Sequence, residues 1–434
     1  MAEPLARLLE YEKTLDCVHC GLCLPHCPTY QETGRESSSP RGRIYAMRGV
    51  AEGRIALDAA VVDEMYLCLA CRACESACPA GVQYGRLVES MRAEIDRRGA
   101  RSRVVRFVQR LVLRRVVAGR LVLAALAFAL RIYQRSGLQR LLRASNLLLV
   151  APRLRQAERL LSPLPNAYRA PARTPAQGDL RGRVGFFAGC LMPEFFGPVN
   201  RATLRVLARN GFEVHAPRGQ RCCGALHAHS GDAVAAERLH ARNAEVFGAA
   251  GLDAVVVNSA GCGASLRDPG DALAAQVRDV SEFLHAAGLR GDLGALPLRV
   301  AYDDPCHLLH GQRVSAAPRE LLRAIPGLQL FDLPGAQDCC GAAGIYNLTQ
   351  PELSGRLLQR KIDAIRRTGP HVVATGNPGC LLQLSRGVRD AGLDIEVLHP
   401  VELLERAYAA ADTHFVKLGS EPESGHLAGV GAGR

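Results

Sequence analysis

Eight cysteines within the first eighty residues are spaced as ligands for iron–sulfur clusters. Two runs share the pattern C-x-x-C-x-x-C-x-x-x-C-P, one beginning at Cys17 and the other at Cys68. In the bacterial two-cluster motif with this spacing, three cysteines of a run bind one [4Fe–4S] cluster and the fourth binds the other cluster. The spacing therefore predicts two clusters with crossed ligands. The first set is Cys17, Cys20, Cys23 and Cys78, and the second set is Cys68, Cys71, Cys74 and Cys27.

The spacing has a physical reason. Gaps of two residues wrap a short loop around one cluster and direct three thiolates to three irons, while Pro28 and Pro79 end the turn. A zinc site uses paired C-x-x-C knuckles and does not need a third cysteine at the same step. Iron–sulfur clusters are therefore favoured over zinc or disulfides, and residues 1–100 are predicted to form an α-helical domain of the bacterial-ferredoxin type.

A second group of eight cysteines consists of one pattern that occurs twice. In the first copy a lone cysteine precedes the triplet Cys222-Cys223-Gly224 and another follows it. Equivalent cysteines of the two copies lie 116 to 118 residues apart, so the second half of the chain is a duplication. The predicted metal-site residues are Cys190, Cys222, Cys223 and Cys262 in the first copy, and Cys306, Cys339, Cys340 and Cys380 in the second.

Adjacent cysteines can serve one compact centre only if the chain turns tightly, because successive side chains diverge on an extended backbone. Gly224 and Gly341 supply that turn without a Cβ clash. Each copy is thus predicted to hold a metal or a cluster. Four-thiolate zinc, a redox-active thiol site and buried free cysteines remain as alternatives. The nearby histidines that are candidates for ligation or proton relay are His227, His229, His307 and His310.

Strands and helices alternate around these cysteines. Short apolar strands are predicted over 184–188, 212–216 and 254–258 in the first copy, and over 298–302, 328–331 and 372–375 in the second. Such alternation is typical of parallel α/β units, whose ligands bind beyond the carboxyl ends of the strands. The cysteines follow those ends in both copies.

An arginine-rich block separates the two halves. Residues 101–160 contain fourteen arginines, no lysine and one acidic residue, Glu158. The positive charge of this block alone therefore exceeds the net charge of the whole chain, which is +12. The rest of the chain is close to neutral, which disfavours a nucleic-acid partner. Apolar residues recur in the block at helical spacing. It is predicted to pack on the protein or on a partner subunit, or to lie on an anionic membrane surface.

A further basic segment begins at Ser39 with the sequence SPRGRIYAMR. Ser39 is a suitable N-cap, and Pro40 is a suitable first residue of a helix. The arginines of this helix either balance the negative charge of reduced clusters or form a solvated face.

Together these features predict an α+β multidomain fold. The predicted parts are a ferredoxin-type domain with two [4Fe–4S] clusters at 1–100, a helical connector at 101–160, a proline-rich linker at 161–182, two duplicated α/β Cys-Cys-Gly modules at 183–290 and 298–412, and a disordered tail at 413–434.

The sequence contains no Gly-x-Gly-x-x-Gly loop, Walker A sequence or nucleophile elbow. Clusters move single electrons, whereas the removal of a hydride from an organic substrate needs a flavin or a nicotinamide. A partner subunit that carries such a cofactor is therefore expected.

Seven stretches resemble the iron–sulfur subunits of glycolate oxidases (glycolate dehydrogenases), within the wider group of Cys-Cys-Gly proteins related to heterodisulfide reductases. They are CVHCGLCLPHCPTY from Cys17, SPRGRIYAMRGV from Ser39, CLACRACESACPAGVQY from Cys68, SAGCGA around Cys262, DPCHLLHGQ from Asp304, DCCGAAGIYNL from Asp338 and NPGC ending at Cys380. The cluster runs alone are generic, but their combination with two Cys-Cys-Gly modules in one chain is specific to this group.

The resemblance implies an electron-transfer subunit. An FAD-containing dehydrogenase subunit would oxidise glycolate or D-lactate, and this chain would pass the electrons towards the quinone pool. The protein is accordingly expected in the cytoplasm, peripheral on the inner face of the cytoplasmic membrane. One alternative is an electron-transfer subunit of another flavoprotein, such as a lactate or glycerol-3-phosphate dehydrogenase. The other is a thiol–disulfide reductase of the heterodisulfide reductase kind.

The sequence departs from the heterodisulfide reductase relatives at two positions. Those proteins end each module with C-x-x-C, whereas Ser259 and Asn377 stand in place of the first of these cysteines here. Each module therefore keeps four cysteines rather than five. Its content, a further iron–sulfur cluster or zinc, stays open at this point.

Overall fold

The structure, a computed structural model, describes residues 10–145, 158 and 161–418. Within them the chain forms an α-helical N-terminal region, a group of linker helices and two α/β sheets. This content agrees with the predicted α+β class. Most of the predicted tail, 419–434, lies outside the described residues.

The N-terminal region is helical, as predicted. Its helices are Tyr11–Thr14, Pro28–Thr33, Pro40–Ala51, Ala59–Leu67, Ala73–Ser76 and Tyr84–Arg98. Ser39 caps the third helix, because its Oγ accepts a hydrogen bond from the backbone N–H of Gly42 at 3.0 Å. Met47, Met65 and Leu87 are fully buried and pack these helices together around the cysteine loops.

The linker helices are Arg103–Leu111, a π-helical turn at Val112–Val117, Arg120–Arg135 and Leu138–Ala144. The segments Arg103–Val117 and Arg120–Arg135 meet at a bend of 87°. In the part of the chain that the structure describes, no single helix has the length and hydrophobicity needed to cross a bilayer, and only this bent pair meets both criteria together. Leu113, Leu123 and Ala127 face inwards and are buried.

Two mainly parallel sheets form the second half. The first sheet has the order β1-β3-β2-β4-β5, with strands β1 Arg173–Thr174, β2 Gly182–Phe187, β3 Phe212–His215, β4 Ala254–Val257 and β5 Val277–Asp279. The second has the order β7-β6-β8-β9, with strands β6 Arg299–Tyr302, β7 Gln329–Asp332, β8 Val372–Ala374 and β9 Glu396–Leu398. All pairs are parallel except β1 with β3.

The structure confirms the six predicted strands and adds β1, β5 and β9. The added strands have only two or three residues each. They lie at sheet edges, and they carry charged side chains in place of an apolar run. Pairing with a longer neighbour, rather than a local pattern, therefore creates them.

Helices surround both sheets. In the first module they are Met192–Phe195, Gly197–Arg209, Ala225–His229, Ala233–Gly248, Ala260–Arg267, Ala272–Gln276 and Val280–Ala287. In the second they are a π-helical turn at His307–Gly311 and the helices Ala316–Arg323, Tyr346–Thr349, Pro351–Thr368, Pro378–Asp390 and Pro400–Leu418.

Two predicted segments need correction. The proposed linker 161–182 is part of the first module, because it supplies β1 and its backbone N–H groups at Gln177 and Arg181 donate to Ala208 and Gly211. The proposed disordered tail at 413–434 begins too early, because the last helix continues to Leu418.

The two modules share one apolar core. Phe186 and Val256 of the first sheet and Tyr302 of the second lie in the same buried cluster. The last helix crosses to the first module, where the Tyr408 hydroxyl donates to the backbone oxygen of Arg290 at 2.9 Å. The modules therefore form one body, and the loops after their strands face the N-terminal region.

Candidate iron–sulfur and Cys-Cys-Gly sites

The first cysteine set lies at the molecular surface. Cys20 is exposed, and Cys17, Cys23 and Cys78 are half-buried. Two arginines of the helix Pro40–Ala51 hold its loop. Arg48 donates to the backbone oxygen of Cys17 at 3.0 Å, and Arg41 donates to that of His19 at 2.9 Å. The predicted basic helix thus positions the loop through its backbone oxygens.

The second cysteine set lies deeper. Cys27, Cys71 and Cys74 are buried and Cys68 is half-buried. Burial, and then the neighbouring thiols of Cys71, Cys68 and Cys27, raise the pKa of Cys74 well above its usual range. Cys27 therefore lies among the cysteines of the second run, as the crossed ligand assignment requires.

Arg43 supplies positive charge beside this second set. Its side chain is fully buried and donates to the backbone oxygens of Ser38 at 2.8 Å and Glu64 at 2.7 Å. Burial opposes ionisation of the Cys68 thiol, but Arg43 and then Arg92 outweigh it and lower the pKa of Cys68. At Arg43 the charge-balancing interpretation is supported, and the solvated-face alternative is wrong.

The four cysteines of the first module come together beyond the ends of β2, β3 and β4. The sulfur atoms of Cys190 and Cys222 lie 3.5 Å apart. This thiol contact, followed by that from Cys223, holds the pKa of Cys222 well below its usual range, whereas contact with Cys222 and then Cys262 raises the pKa of Cys223. Gly224 has φ of +91°, so the turn has the predicted left-handed conformation.

The second module repeats this arrangement. The sulfur atoms of Cys340 and Cys380 lie 3.3 Å apart. Contact with Cys339 acts to lower the pKa of Cys306, but burial and the neighbouring thiols outweigh it and raise that pKa. Gly341 has φ of +84°. The duplicated motif therefore folds into two equivalent quartets.

Both quartets face one cavity of about 260 Å³, and all eight of their cysteines line it. Among the described residues, no three His, Cys, Asp or Glu side chains are placed to share a single metal ion. A cluster binds each thiolate to a different iron, so its ligands stand further apart than those of one ion. The thiol donor sets and the charge of Arg43 fit iron–sulfur clusters in the N-terminal region, and the quartets offer four thiols each.

The candidate histidines connect the modules to the second cysteine set. His307 Nε2 lies 3.0 Å from the backbone oxygen of Ala70, and His310 Nδ1 lies 2.8 Å from Ser76 Oγ. His229 instead pairs with Glu89, with 2.6 Å between Nδ1 and Oε1. His227 is fully buried beside the first quartet. The contacts with Cys190 and Cys223 lower the pKa of Cys222 most, burial opposes them, and His227 adds a smaller lowering effect.

The second cysteine set also approaches the second quartet. Cys71 and Cys339 lie in one buried apolar cluster, with Cys306 packed against it. A small cavity of about 20 Å³ is lined by all three. Of the two quartets, that of the second module thus lies directly beside the second N-terminal set.

The structure places two further polar side chains, Asn377 and Arg92, at the cysteine sites. The Asn377 side chain joins the modules, because its Oδ1 accepts from the backbone N–H of Gly261 at 3.1 Å while its Nδ2 lies 3.7 Å from Cys380 Sγ. Arg92 donates to the backbone oxygens of Cys68 and of His229, at 2.8 Å for the latter. Asn377 begins the NPGC stretch, at the position where the relatives of the wider group have a cysteine, whereas Arg92 lies outside the cysteine motifs.

Ferredoxin-type cysteine runs packed against paired Cys-Cys-Gly modules define an iron–sulfur electron-transfer protein. Family models agree with this class. A 4Fe-4S dicluster domain matches residues 13–82, and a cysteine-rich domain matches 184–267 and 300–385. The linker region of the glycolate oxidase iron–sulfur subunit matches 104–161. The chain belongs to the family of glycolate oxidase iron–sulfur subunits.

Relatives that span nearly the whole chain support this assignment. The probable glycolate oxidase iron–sulfur subunit of Bacillus subtilis is 38% identical over 91% of this chain and 94% of its own length. The glycolate oxidase iron–sulfur subunit of Escherichia coli is 33% identical over 93% and 96%. Lactate utilization protein A of Oceanobacillus iheyensis is 28% identical over 51% of this chain and 96% of its own length. The protein is thus an iron–sulfur electron-transfer subunit of the oxidoreductase class.

Proposed function

We propose that this chain takes electrons from an FAD-containing subunit of a 2-hydroxy-acid dehydrogenase, of the glycolate type, and passes them towards the quinone pool. The observation that carries the proposal is the continuous series of cysteine sets. It begins at exposed Cys20, continues through buried Cys71 and reaches Cys339 in the second module.

Two [4Fe–4S] clusters fit the N-terminal sets. Cys17, Cys20, Cys23 and Cys78 would hold one cluster, and Cys68, Cys71, Cys74 and Cys27 would hold the other. When bound, such clusters accept and release one electron at a time. Arg43 and Arg92 place positive charge at the second set, which stabilises the added negative charge of a reduced state.

The surface around Cys20 suits the flavoprotein partner. Leu15, Val18 and Leu22 are 47%, 71% and 56% exposed beside the most accessible cysteine of the first set. Apolar side chains of this size at the edge of an electron-transfer site are typical of a docking surface. Electrons would therefore enter the chain at this face.

The linker helices suit the membrane side. Thirteen of the twenty-one exposed large apolar side chains of the described chain belong to residues 104–141. Arg103, Arg115 and Arg140 are exposed among them. We call these side chains together the linker surface. Apolar side chains interspersed with arginines favour an anionic lipid surface, where the quinone pool resides.

The metal content tests the cluster assignment. Iron, acid-labile sulfide and zinc are measured per chain on protein purified without oxygen. Two [4Fe–4S] clusters predict about eight irons and about eight sulfides. An excess of both would add clusters in the quartets, and about two zincs would make the quartets structural. Far fewer than eight irons would contradict the proposal.

Substrate-dependent reduction tests the partner assignment. In a complex with its flavoprotein, glycolate is expected to bleach the cluster absorbance, and glycerol 3-phosphate is not. Bleaching by lactate alone would favour the lactate alternative, which the similarity to lactate utilization protein A makes the second candidate. Turnover of a disulfide by the isolated chain would favour a thiol–disulfide reductase, for which the lowered pKa of Cys222 is the relevant feature.

A further inference from the structure

A second cavity lies beneath the first linker helix, apart from the space between the quartets. It has a volume of about 390 Å³ and is enclosed by all three parts of the chain. Tyr66 comes from the N-terminal region, Val105 from the linker helix and Leu226 from the first module. Sites for small organic ligands commonly occupy about 300–1,000 Å³, so this cavity has the size of a ligand site.

Apolar and polar side chains line the cavity in similar numbers. Leu69, Leu113 and Leu226 supply apolar surface. The Arg101 guanidinium lies 4.0 Å over the centre of the Tyr66 ring, and its Nη1 donates to Gln109 Oε1 at 2.9 Å. A flat ring with carbonyl oxygens matches this lining, because it can pack on leucines while a guanidinium donates to its oxygen.

The cavity is close to the predicted electron donors. Cys68 of the second N-terminal set lines it. Five residues form a wall between this cavity and the one that contains the quartets. They are Leu69, Leu226, His229, Ala343 and Gly344. A ring in this cavity therefore contacts the loop of the second cysteine set and shares a wall with the cavity that the quartets line.

A route for protons reaches the same place. His229 lines the cavity and pairs with Glu89 at 2.6 Å. Glu89 in turn lines a third cavity of about 540 Å³, which also contains Asp268, Asp271 and His240. His229 borders all three cavities, so it lies between the acid-lined space and the proposed ring site.

The mouth of the cavity opens beside apolar surface. Val105 and Ile345 line it and are 45% and 38% exposed. Val105 also belongs to the linker surface, so the cavity adjoins that apolar surface on this side.

We propose that this cavity binds the ring of a quinone and is where the electrons leave the chain. The inference rests on the proposed function. Oxidation of the 2-hydroxy acid to the 2-oxo acid at the partner supplies two electrons, and the quinone takes up these two electrons and two protons to become the quinol. Arg101 binds a ring oxygen, and the His229–Glu89 pair conducts protons to it.

Quinone binding without turnover tests the site. A short-chain benzoquinone and a short-chain naphthoquinone are titrated onto the full chain with its clusters, by equilibrium dialysis. Val105→Trp should fill the mouth and weaken binding about tenfold. Its control is Val234→Trp, since Val234 is a helical valine with a similar exposure of 53% outside the cavity. Arg101→Gln should weaken binding to a similar degree, whereas Arg367→Gln at an exposed arginine elsewhere should not.

The outcomes separate this inference from the proposed function. Saturable binding that weakens in V105W and R101Q but not in the two controls, with iron content unchanged, supports the site. Absence of saturable binding, or equal affinities in V105W and V234W, would overturn it. If binding follows the expected order but the complex reduces neither quinone nor an artificial dye with any 2-hydroxy acid, the site stands and the proposed function fails.

Discussion

At the scale of single residues, buried charge controls the environment of the second cysteine set. Arg43 is enclosed. Its Nε and Nη1 donate to backbone oxygens and to Thr29, whereas its Nη2 makes no hydrogen bond and lies 3.7 Å from the carboxylate of Glu64. A cation held in this way costs desolvation, which only its hydrogen bonds and nearby negative charge offset. Reduction of a neighbouring cluster adds such negative charge.

We therefore expect substitution of Arg43 to change a redox potential. Arg43→Met should lower the midpoint potential of the cluster at the second set, on the order of 50–100 mV for one charge at an effective dielectric constant of about 20. Arg43→Lys keeps the charge and should shift the potential much less, although it loses hydrogen bonds. The potentials are read from an anaerobic redox titration followed by electron paramagnetic resonance. Equal shifts in both variants would show that charge is not the cause.

Asp279 provides a residue-scale prediction about pH. It caps the helix Val280–Ala287, accepting from the backbone N–H of Ser281 at 2.8 Å, and burial raises its pKa to about 7. The folded pKa lies above the unfolded value, so the contribution of Asp279 to stability is present at low pH and is lost as the pH rises from about 4 to about 7. The free energy of unfolding falls by about 4 kcal/mol over this range. Asp279→Asn keeps the cap and should be more stable than wild type at pH 8, but not at pH 4.

Asp271 is the matched control for this prediction. It caps the helix Ala272–Gln276, and although burial opposes ionisation, the backbone N–H of Ala274 and the ring of His240 lower its pKa. Its stabilising contribution is present above the unfolded pKa and is lost as the pH falls through the folded pKa. Asp271→Asn should therefore be less stable than wild type at pH 8. Anaerobic thermal denaturation at both pH values compares the two variants, and the same sign for both would contradict the argument.

At the scale of elements, each Cys-Cys-Gly turn depends on its glycine. Both glycines have positive φ, but their surroundings differ. A Cβ on Gly341 would lie 2.8 Å from the backbone oxygen of Ser354, whereas a Cβ on Gly224 would lie 3.1 Å from the backbone of Ala236. The second turn is therefore packed more tightly against the helix that follows it.

This difference predicts which of the two glycine substitutions destabilises the protein more. Gly224→Ala and Gly341→Ala should each cost about 1–2 kcal/mol from the left-handed backbone alone. Gly341→Ala should lower the stability of the fold more than Gly224→Ala does, because Ser354 must also move. Denaturation midpoints and metal per chain measure the effect, with Gly355→Ala as a control in the same region, where a Cβ has open space. A larger loss for the Gly224 variant would contradict the geometry.

The linker helices are anchored to the first module at one buried ion pair. Arg131 and Glu194 are 8% and 5% exposed, and the carboxylate lies 3.3 Å from the guanidinium, which also donates to the backbone oxygen of Pro165 at 2.8 Å. Loss of one partner from a buried pair costs about 3–5 kcal/mol, because the other charge stays buried.

Glu194→Gln should consequently loosen the linker helices. Limited proteolysis is expected to cut within residues 103–144 faster than in wild type, while the iron content of the N-terminal region is retained. Arg135→Gln is the control on the same helix, since Arg135 is exposed and donates to Asn166 at 2.7 Å. Equal cleavage rates in the two variants would show that the buried pair is not the anchor.

At the scale of the whole molecule, the exposed features occupy separate places along the chain. The accessible cysteine of the first set lies in the N-terminal region, and most of the exposed apolar side chains lie in the linker surface. Most cysteines of the second set and of both quartets are buried. This arrangement suits a protein that receives electrons at one surface and delivers them at another.

The proposed contact of the linker surface with anionic lipid leads to a prediction about its arginines. The triple variant Arg103→Gln, Arg115→Gln and Arg140→Gln should bind vesicles rich in anionic lipid about 100-fold more weakly, at about 1 kcal/mol for each arginine. A control with the same loss of charge replaces exposed Arg238, Arg366 and Arg367 by glutamine. Vesicle cosedimentation at low and moderate salt measures both. Equal weakening by the two sets would point to net charge rather than to the linker surface.

The sequence alone determined the features that depend on short spacing or on order. The two cysteine runs predict the N-terminal ligands because cluster loops are local, and the constant offset between the modules reveals the duplication. Six strands and the cap at Ser39 follow from local pattern for the same reason. The family also follows from these motifs.

Only the tertiary structure decided which sites are neighbours. The contact of His307 with Ala70 joins residues 237 positions apart, and no local pattern encodes such a distance. The burial of Arg43, the pairing of β1 with β3 and the placement of His229 between three cavities have the same origin. Each depends on how separate elements pack, because apolar burial fixes the arrangement of the elements and thereby brings distant polar groups together.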